Sequence, residues 1–241
     1  MHKYCIGITA LLLGLVVGCA RDGSSDELDV YAAASLAEVF PEIEPDARYS
    51  FAGSDELATQ IREGAPADVY AAASSRYPQE LFDEGLVSEP VTFASNRLVL
   101  IVPRDNPKAI ESPEDVAGDG IRLVVAAEGV PVGDYTRDAL ETLGLSAALR
   151  NVVSNEDDVK GVASKVALGE ADAGFVYATD AAPLGDDVVV FELPDRAQPE
   201  IEYQVAVVAD SDQEEAAQAF VDALTSPSGR EALAGVGFEL P

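Results

Sequence analysis

The chain has 241 residues, with 15 lysines and arginines against 44 aspartates and glutamates, for a formal net charge of −29. So acidic a surface argues against nucleic-acid binding, while 48% hydrophobic and 24% charged residues describe a chain that folds around a core. The single histidine is His2 and the cysteines are Cys5 and Cys19. Beyond residue 19, Ser-His-Asp and Cys-His nucleophiles, zinc sites built on His or Cys, and internal disulfides are therefore excluded.

In chain order, Lys3 precedes an apolar run over 6–17 that is too short to span a membrane comfortably. The run ends in Val16-Val17-Gly18-Cys19, and a polar stretch over 20–26 follows. This arrangement resembles a lipoprotein signal. It predicts a signal peptide over 1–18, lipidation of Cys19, a flexible linker over 19–27, and a body outside the cytoplasmic membrane, anchored to it. Loss of Lys3 leaves Lys108, Lys160 and Lys165 as the only lysines. Acids spread through every segment with so few lysines read as a surface adapted to high salt, with an ordinary acidic extracytoplasmic protein as the alternative.

The body opens on Asp29-Val30-Tyr31-Ala32-Ala33-Ala34-Ser35-Leu36. Residues 28–32 read as a strand, and Ser35 stands where a helix would begin, able to cap it while free N–H groups point outward. Such a helix start is an anion site in waiting. A strand over 48–51 runs into Phe51-Ala52-Gly53-Ser54-Asp55 and a helix over 55–63, with Leu57 and Ile61 one turn apart. This second corner follows the same recipe. Residues 68–74 then repeat 29–35 identically, predicting another strand (68–72) and corner in the same lobe, with a helix over 77–84.

Further on come strands over 98–102 and 121–126, then Val130-Pro131-Val132-Gly133-Asp134-Tyr135 leading into a helix over 134–143. Another helix is expected over 157–168, and a strand over 173–177 ends on Tyr177. Strands over 188–192 and 203–209 and helices over 213–225 and 228–234 complete the pattern. The alternation predicts an α/β fold with largely parallel sheets. The apolar runs 98–103 and 205–209 read as buried strands bracketing a middle segment, so the chain leaves one lobe, builds a second and returns. Taken singly, Ser35 and Ser54 read as plain helix caps, Tyr177 as a core tyrosine and Pro131-Val132-Gly133 as a turn. Their joint order is what points to a cleft.

Those segments together resemble the periplasmic molybdate-binding proteins of ABC importers, over nearly all of residues 28–240. The resemblance is carried by AAASL at 32–36, FAGS and LATQI over 51–61, GAPADV at 64–69, NRLVLIVP at 96–103, VPVG at 130–133, GEADAGFVYATDA at 169–181, IEYQVAVV at 201–208 and SPSGREAL at 226–233. It implies a two-lobed periplasmic-binding-protein type II fold with the ligand cleft between the lobes. Lobe I would comprise 28–95 and 203–241, and lobe II would comprise 96–202. It implies oxyanion ligation by Ser35 and Ser54 through hydroxyl and backbone, by Val132 and Val159 through backbone N–H alone, and by the Tyr177 hydroxyl. The implied cargo is molybdate or tungstate, with no cofactor, no resident metal and no enzymatic activity. The implied partner is a membrane ABC permease, served by a monomer.

The chemistry agrees with that ligand set. Molybdate and tungstate are dianions without a proton at neutral pH, so every contact has to be a donor. Other small oxyanions such as sulfate or phosphate are the nearest alternative cargo, and a surface lipoprotein without a transport role is a further one. A serine hydrolase is disfavoured, because neither serine lies in Gly-x-Ser-x-Gly or has a lysine three residues on. Two departures stand out. Pro41 and Pro45 cut short the helix expected after Ser35, and Asp55 and Asp134 lie beside ligand positions, where each is expected to cap or to face solvent.

Overall fold

A computed structural model describes residues 27–241; the expected signal peptide, Cys19 and nearly all of the linker lie outside the described residues. The first sheet is built from β1 (Asp29–Ala33), β2 (Arg48–Ala52), β3 (Val69–Ala72), β4 (Val91–Ser95) and β10 (Glu202–Val207), in the order β2-β1-β3-β10-β4. The second holds β5 (Leu98–Pro103), β6 (Leu123–Ala126), β7 (Val152–Glu156), β8 (Ala173–Tyr177) and β9 (Val188–Glu192), in the order β7-β6-β8-β5-β9. We call the layers around the first sheet lobe I and those around the second lobe II. The chain passes from one to the other between Ser95 and Leu98, and back between β9 and β10.

The sheets are mixed where the sequence predicts them largely parallel. In lobe I, β1 runs parallel to β2 and β3, but β10 runs antiparallel to β3 and β4. In lobe II, β6 is parallel to β7 and β8, while β5 is antiparallel to β8 and β9. The antiparallel pairs surround β5 and β10, the strands that follow each passage between lobes. Two strands, β4 and β7, escape the sequence pattern. Thr92 and Ser95 interrupt β4, and β7 carries Ser154, Asn155 and Glu156 in place of an apolar run.

The repeated heptad has a direct structural meaning. β1 and β3 are neighbours, and Val30 pairs with Val69, Tyr31 with Tyr70 and Ala32 with Ala71, so the identical residues lie side by side. Ala32, Ala33 and Ala34, and Ala71, Ala72 and Ala73, are all buried, which keeps the strand ends free of bulky side chains. Behind them Phe40 is fully buried and meets Phe220 edge-on at 5.3 Å and Phe93 at 5.9 Å between ring centroids.

The corner after β1 differs from expectation. Ser35 sits inside a single 3-10 turn (Ala34–Leu36), not at a helix cap, and no side chain caps that turn. The short helix α1 (Phe40–Ile43) then forms with proline at its start and ends at Glu44, as a helix held between Pro41 and Pro45 must. The remaining helices are α2 (Ser54–Arg62), α3 (Arg76–Asp83), α4 (Pro131–Thr142), α5 (Val159–Ala167), α6 (Ala178–Ala181), α7 (Glu214–Thr225) and α8 (Pro227–Gly235). Among the described residues no helix is long and apolar enough to cross a membrane.

Candidate anion-binding cleft

Strand ends from both lobes converge on one cavity of about 220 Å³, its mouth included, lined by Ala33, Ala34, Ser35, Ala52, Gly53, Ser54 and Ala73 of lobe I and by Val130, Pro131, Val132, Asp158, Val159 and Tyr177 of lobe II. Ser35, Ser54, Val132, Val159 and Tyr177, the five candidate residues, are thus brought together around one space. No lysine, arginine or histidine lines it. Among the described residues no group of three His, Cys, Asp or Glu side chains is placed to hold a metal ion.

The wall is made of helix starts. α2 begins at Ser54 after an extended Gly53, α4 begins at Pro131 with Val132 in its first turn, and α5 begins at Val159 after Asp158. First-turn N–H groups have no acceptor within their own helix, and the helix dipoles add partial positive charge at that end. The packing of α4 depends on Gly133, where a Cβ would lie 2.2 Å from the Ala127 carbonyl oxygen and 2.6 Å from that of Ala126. Only glycine lets this helix start sit so close to the strand end before it.

The hydroxyls are held in distinct ways. Ser54 is not a plain helix cap: its Oγ accepts from the Ala73 N–H at 3.1 Å, just past the end of β3, which leaves its proton to donate elsewhere. Ser35 Oγ lies 2.9 Å from Tyr203 Oη. Tyr177 Oη is buried with no hydrogen-bond partner in the protein. Burial, with the neighbouring Tyr203, raises its pKa well above the ordinary tyrosine value, so it stays a neutral donor. A buried hydroxyl without a partner costs about 1–3 kcal/mol, a penalty that a ligand accepting its proton removes.

Two of the acids beside the cleft are engaged elsewhere. Asp158 accepts from the Gly161 N–H at 2.8 Å and so caps α5. Asp134 accepts from the Gly129 N–H at 2.9 Å and lies 3.7 Å from Arg76 of lobe I. Asp55, expected to cap or to face solvent, does neither with its Oδ1, which is buried without a partner outside the cavity lining; desolvation by burial raises its carboxyl pKa. Further back, Asp180 is fully buried with its pKa pushed up to about 6, by burial first, against the lowering effect of Lys160 at 3.2 Å.

The lobes also touch around the cavity. Tyr77 of lobe I donates to the Gly129 carbonyl of lobe II, and Lys160 of lobe II lies 3.5 Å from Glu38 of lobe I. At Gly53 the backbones themselves approach, and a Cβ there would stand 2.6 Å from the Asp157 carbonyl oxygen. Sequence patterns alone do not mark Tyr203, Asn96 or the Ala73 amide, which orient hydroxyls from behind the wall. The motif NRLVLIVP contains Asn96, but nothing in its spacing shows that it faces Tyr203.

Comparison with known proteins places this geometry in context. A family description of bacterial extracellular solute-binding proteins matches residues 28–239. The molybdate-binding protein ModA of Mycobacterium tuberculosis (strain H37Rv) is 33% identical, with 97% of this chain and 96% of that protein covered. ModA of Escherichia coli (strain K12) is 31% identical, over 92% and 93%. Among solved structures, the periplasmic molybdate-binding protein of Azotobacter vinelandii superposes with a TM-score of 0.79 at 24% identity, over 89% of this chain and 100% of that one; at that identity the likeness speaks for the fold.

Proposed function

This chain belongs to the family of bacterial extracellular solute-binding proteins, and we propose that it captures molybdate in the cleft between its lobes and delivers it to an ABC importer. The observation that carries the reading is the wall itself. A donor-rich cavity, with a partnerless buried Tyr177 hydroxyl and its one lining carboxylate, Asp158, turned to capping α5, suits a dianion that offers only acceptors. Full-length similarity to molybdate-binding proteins supports the choice of cargo.

In this reading Ser35 and Ser54 donate through hydroxyl and backbone from lobe I, while Val132 and Val159 donate backbone N–H and Tyr177 its phenol from lobe II. Because each lobe contributes donors, the oxyanion stabilises the closed arrangement over an open one, and the closed form is what the permease recognises. Lobe I takes 28–95 and 203–241, and lobe II 96–202. Tungstate shares the site, a lipid on Cys19 tethers the protein as a monomer outside the membrane, and the protein turns over no substrate.

The test is a thermal-shift series on ligand-stripped protein in high salt, with molybdate, tungstate, sulfate, phosphate and chromate at equal concentration. A ligand that binds only the folded state raises its melting temperature. Large shifts with molybdate and tungstate and little with sulfate or phosphate are expected. A shift with sulfate or phosphate alone overturns the cargo, and no shift with any of them overturns the oxyanion reading.

A further inference from the structure

We propose that Tyr203 and Asn96 are positioning residues that lock the Ser35 hydroxyl as a donor, and that this lock makes the cleft prefer oxyanions carrying no proton. The inference deepens the oxyanion reading above and rests on it. Tyr203 lies on β10 and is fully buried; Asn96 lies in the passage from β4 to β5 and is buried as well.

The direction of each hydrogen bond follows from what each group is able to offer. Asn96 Oδ1 accepts from the Arg97 N–H at 2.9 Å, which identifies the other arm of the amide as its NH₂ group. That nitrogen has two protons and two oxygens in reach, Thr179 Oγ1 at 2.8 Å and Tyr203 Oη at 3.5 Å. Tyr203 Oη, receiving from Asn96, passes its own proton to its remaining partner, Ser35 Oγ, at 2.9 Å. Ser35 then accepts from behind, and its proton is what it has left for the cavity it lines. The polarity runs one way: Asn96 to Tyr203 to Ser35 to ligand. Burial raises the Tyr203 pKa well above the ordinary value, with Asp180 adding to it, so the phenol keeps the proton this chain of bonds requires.

The second serine is locked in the same sense by a different device, since Ser54 Oγ accepts from the Ala73 N–H. Both serines of lobe I therefore face the cleft with a proton to give. Molybdate and sulfate, with acceptors only, match that wall. Hydrogen arsenate and hydrogen phosphate present an O–H that the oriented serines are not set to receive. The oriented protons sort both from anions that keep a proton.

Tyr203→Phe removes the hydroxyl and retains the ring that meets Phe238, Tyr177 and Phe93 edge-on. Molybdate, arsenate and phosphate are titrated calorimetrically into wild type, Tyr203→Phe, Ser35→Ala and the double variant at one pH near 7.5. Tyr203→Phe is expected to weaken molybdate about five- to tenfold and to move the arsenate-to-molybdate Kd ratio toward arsenate by a similar factor. In the Ser35→Ala background the same change should alter molybdate affinity by less than about twofold, since the hydroxyl it orients is gone. Asn96→Ser, which withdraws the amide donor and leaves the Tyr203 ring in place, should move the ratio the same way by about two- to threefold, and it serves if Tyr203→Phe does not fold. An unmoved ratio, equal weakening of both anions, or a Tyr203→Phe effect that persists without Ser35 overturns the proposal. Wild-type protein that binds no oxyanion overturns the cargo reading instead.

Discussion

In the proposed function the two lobes meet the same ligand position with different chemistry. Lobe I brings Ser35 and Ser54 from the ends of strands lined with alanine, each hydroxyl steered by a group behind it, Tyr203 Oη or the Ala73 amide. Lobe II brings two valines, whose side chains have nothing to donate, and one phenol without a partner. In this reading the lobe I serines and Tyr177 act through their side chains, whereas Val132 and Val159 act only through where the backbone is placed. Substitution should therefore be costly at the serines and at Tyr177 according to what the side chain is, and at the two valines according to whether the helix start moves.

The sharpest way to break that division is at Gly53, where the lobes come closest. Its φ of −60° and ψ of 140° suit any residue, so alanine does not strain the backbone of the ligand-free chain. Within lobe I a Cβ would meet only Asp55 Oδ1 at 2.7 Å, the end of a side chain free to turn aside. At 2.6 Å from the Asp157 carbonyl oxygen, however, it blocks the approach of lobe II. Gly53→Ala is expected to weaken molybdate binding by at least about a hundredfold, because donors from lobe II no longer reach the ligand. The melting temperature of the ligand-free protein should stay within about 2 °C of wild type. A variant that binds as tightly as wild type would show that closure does not pass through this contact.

The contrast between the lobes is sharpened next by a matched pair of truncations. Ser54→Ala removes one hydrogen bond to a charged ligand and should weaken molybdate about ten- to a hundredfold. Val159→Ala keeps its backbone N–H and should change affinity by less than about threefold, although it loses some buried packing and with it some stability. Calorimetric titration of both decides the matter: equal losses would mean that the valine side chain itself, and not only its backbone N–H, reads the ligand.

The same contrast explains how much of the fold and of the cleft is legible in the amino-acid sequence. The strand-to-helix corners of lobe I can be read because small residues, a serine and an amphipathic helix follow one another along the chain. The valine amides cannot be read from their side chains, and only family resemblance nominates Val132 and Val159. The strands β4 and β7 leave a weak signal because their sequences, VTFAS and VVSNE, break the apolar run with polar residues. The helix expected at Ser35 fails for a local reason, since the prolines that shorten α1 lie beyond the corner and leave only a 3-10 turn at the serine itself. Tyr203 stands inside a recognised motif, yet its task depends on a partner 168 residues away, which no local pattern reveals.

A last difference lies behind the walls. Lobe I keeps Asp55 partly exposed near its corner, whereas lobe II buries Asp180 completely, three residues after Tyr177, with Lys160 at 3.2 Å as its counter-charge. Burial pushes the Asp180 pKa from 3.8 up to about 6, with Asp158 and Glu38 adding to the rise and Lys160 opposing it. The folded chain thus holds this proton more tightly than the unfolded chain does. The stabilisation from keeping it is full below about pH 4 and is lost as pH rises through about 6, where Asp180 ionises in the folded state as well. Asp180→Asn keeps the shape without the charge and leaves Lys160 its contact with Glu38 at 3.5 Å. Relative to wild type, the ligand-free variant should gain on the order of 1–3 kcal/mol at pH 7.5 and little at pH 4. Urea unfolding of both proteins at the two pH values gives the difference, in which the titration of the other acids cancels. A gain of the same size at both pH values would mean that Asp180 is not ionised at neutral pH, and that lobe II holds a neutral acid behind its tyrosine.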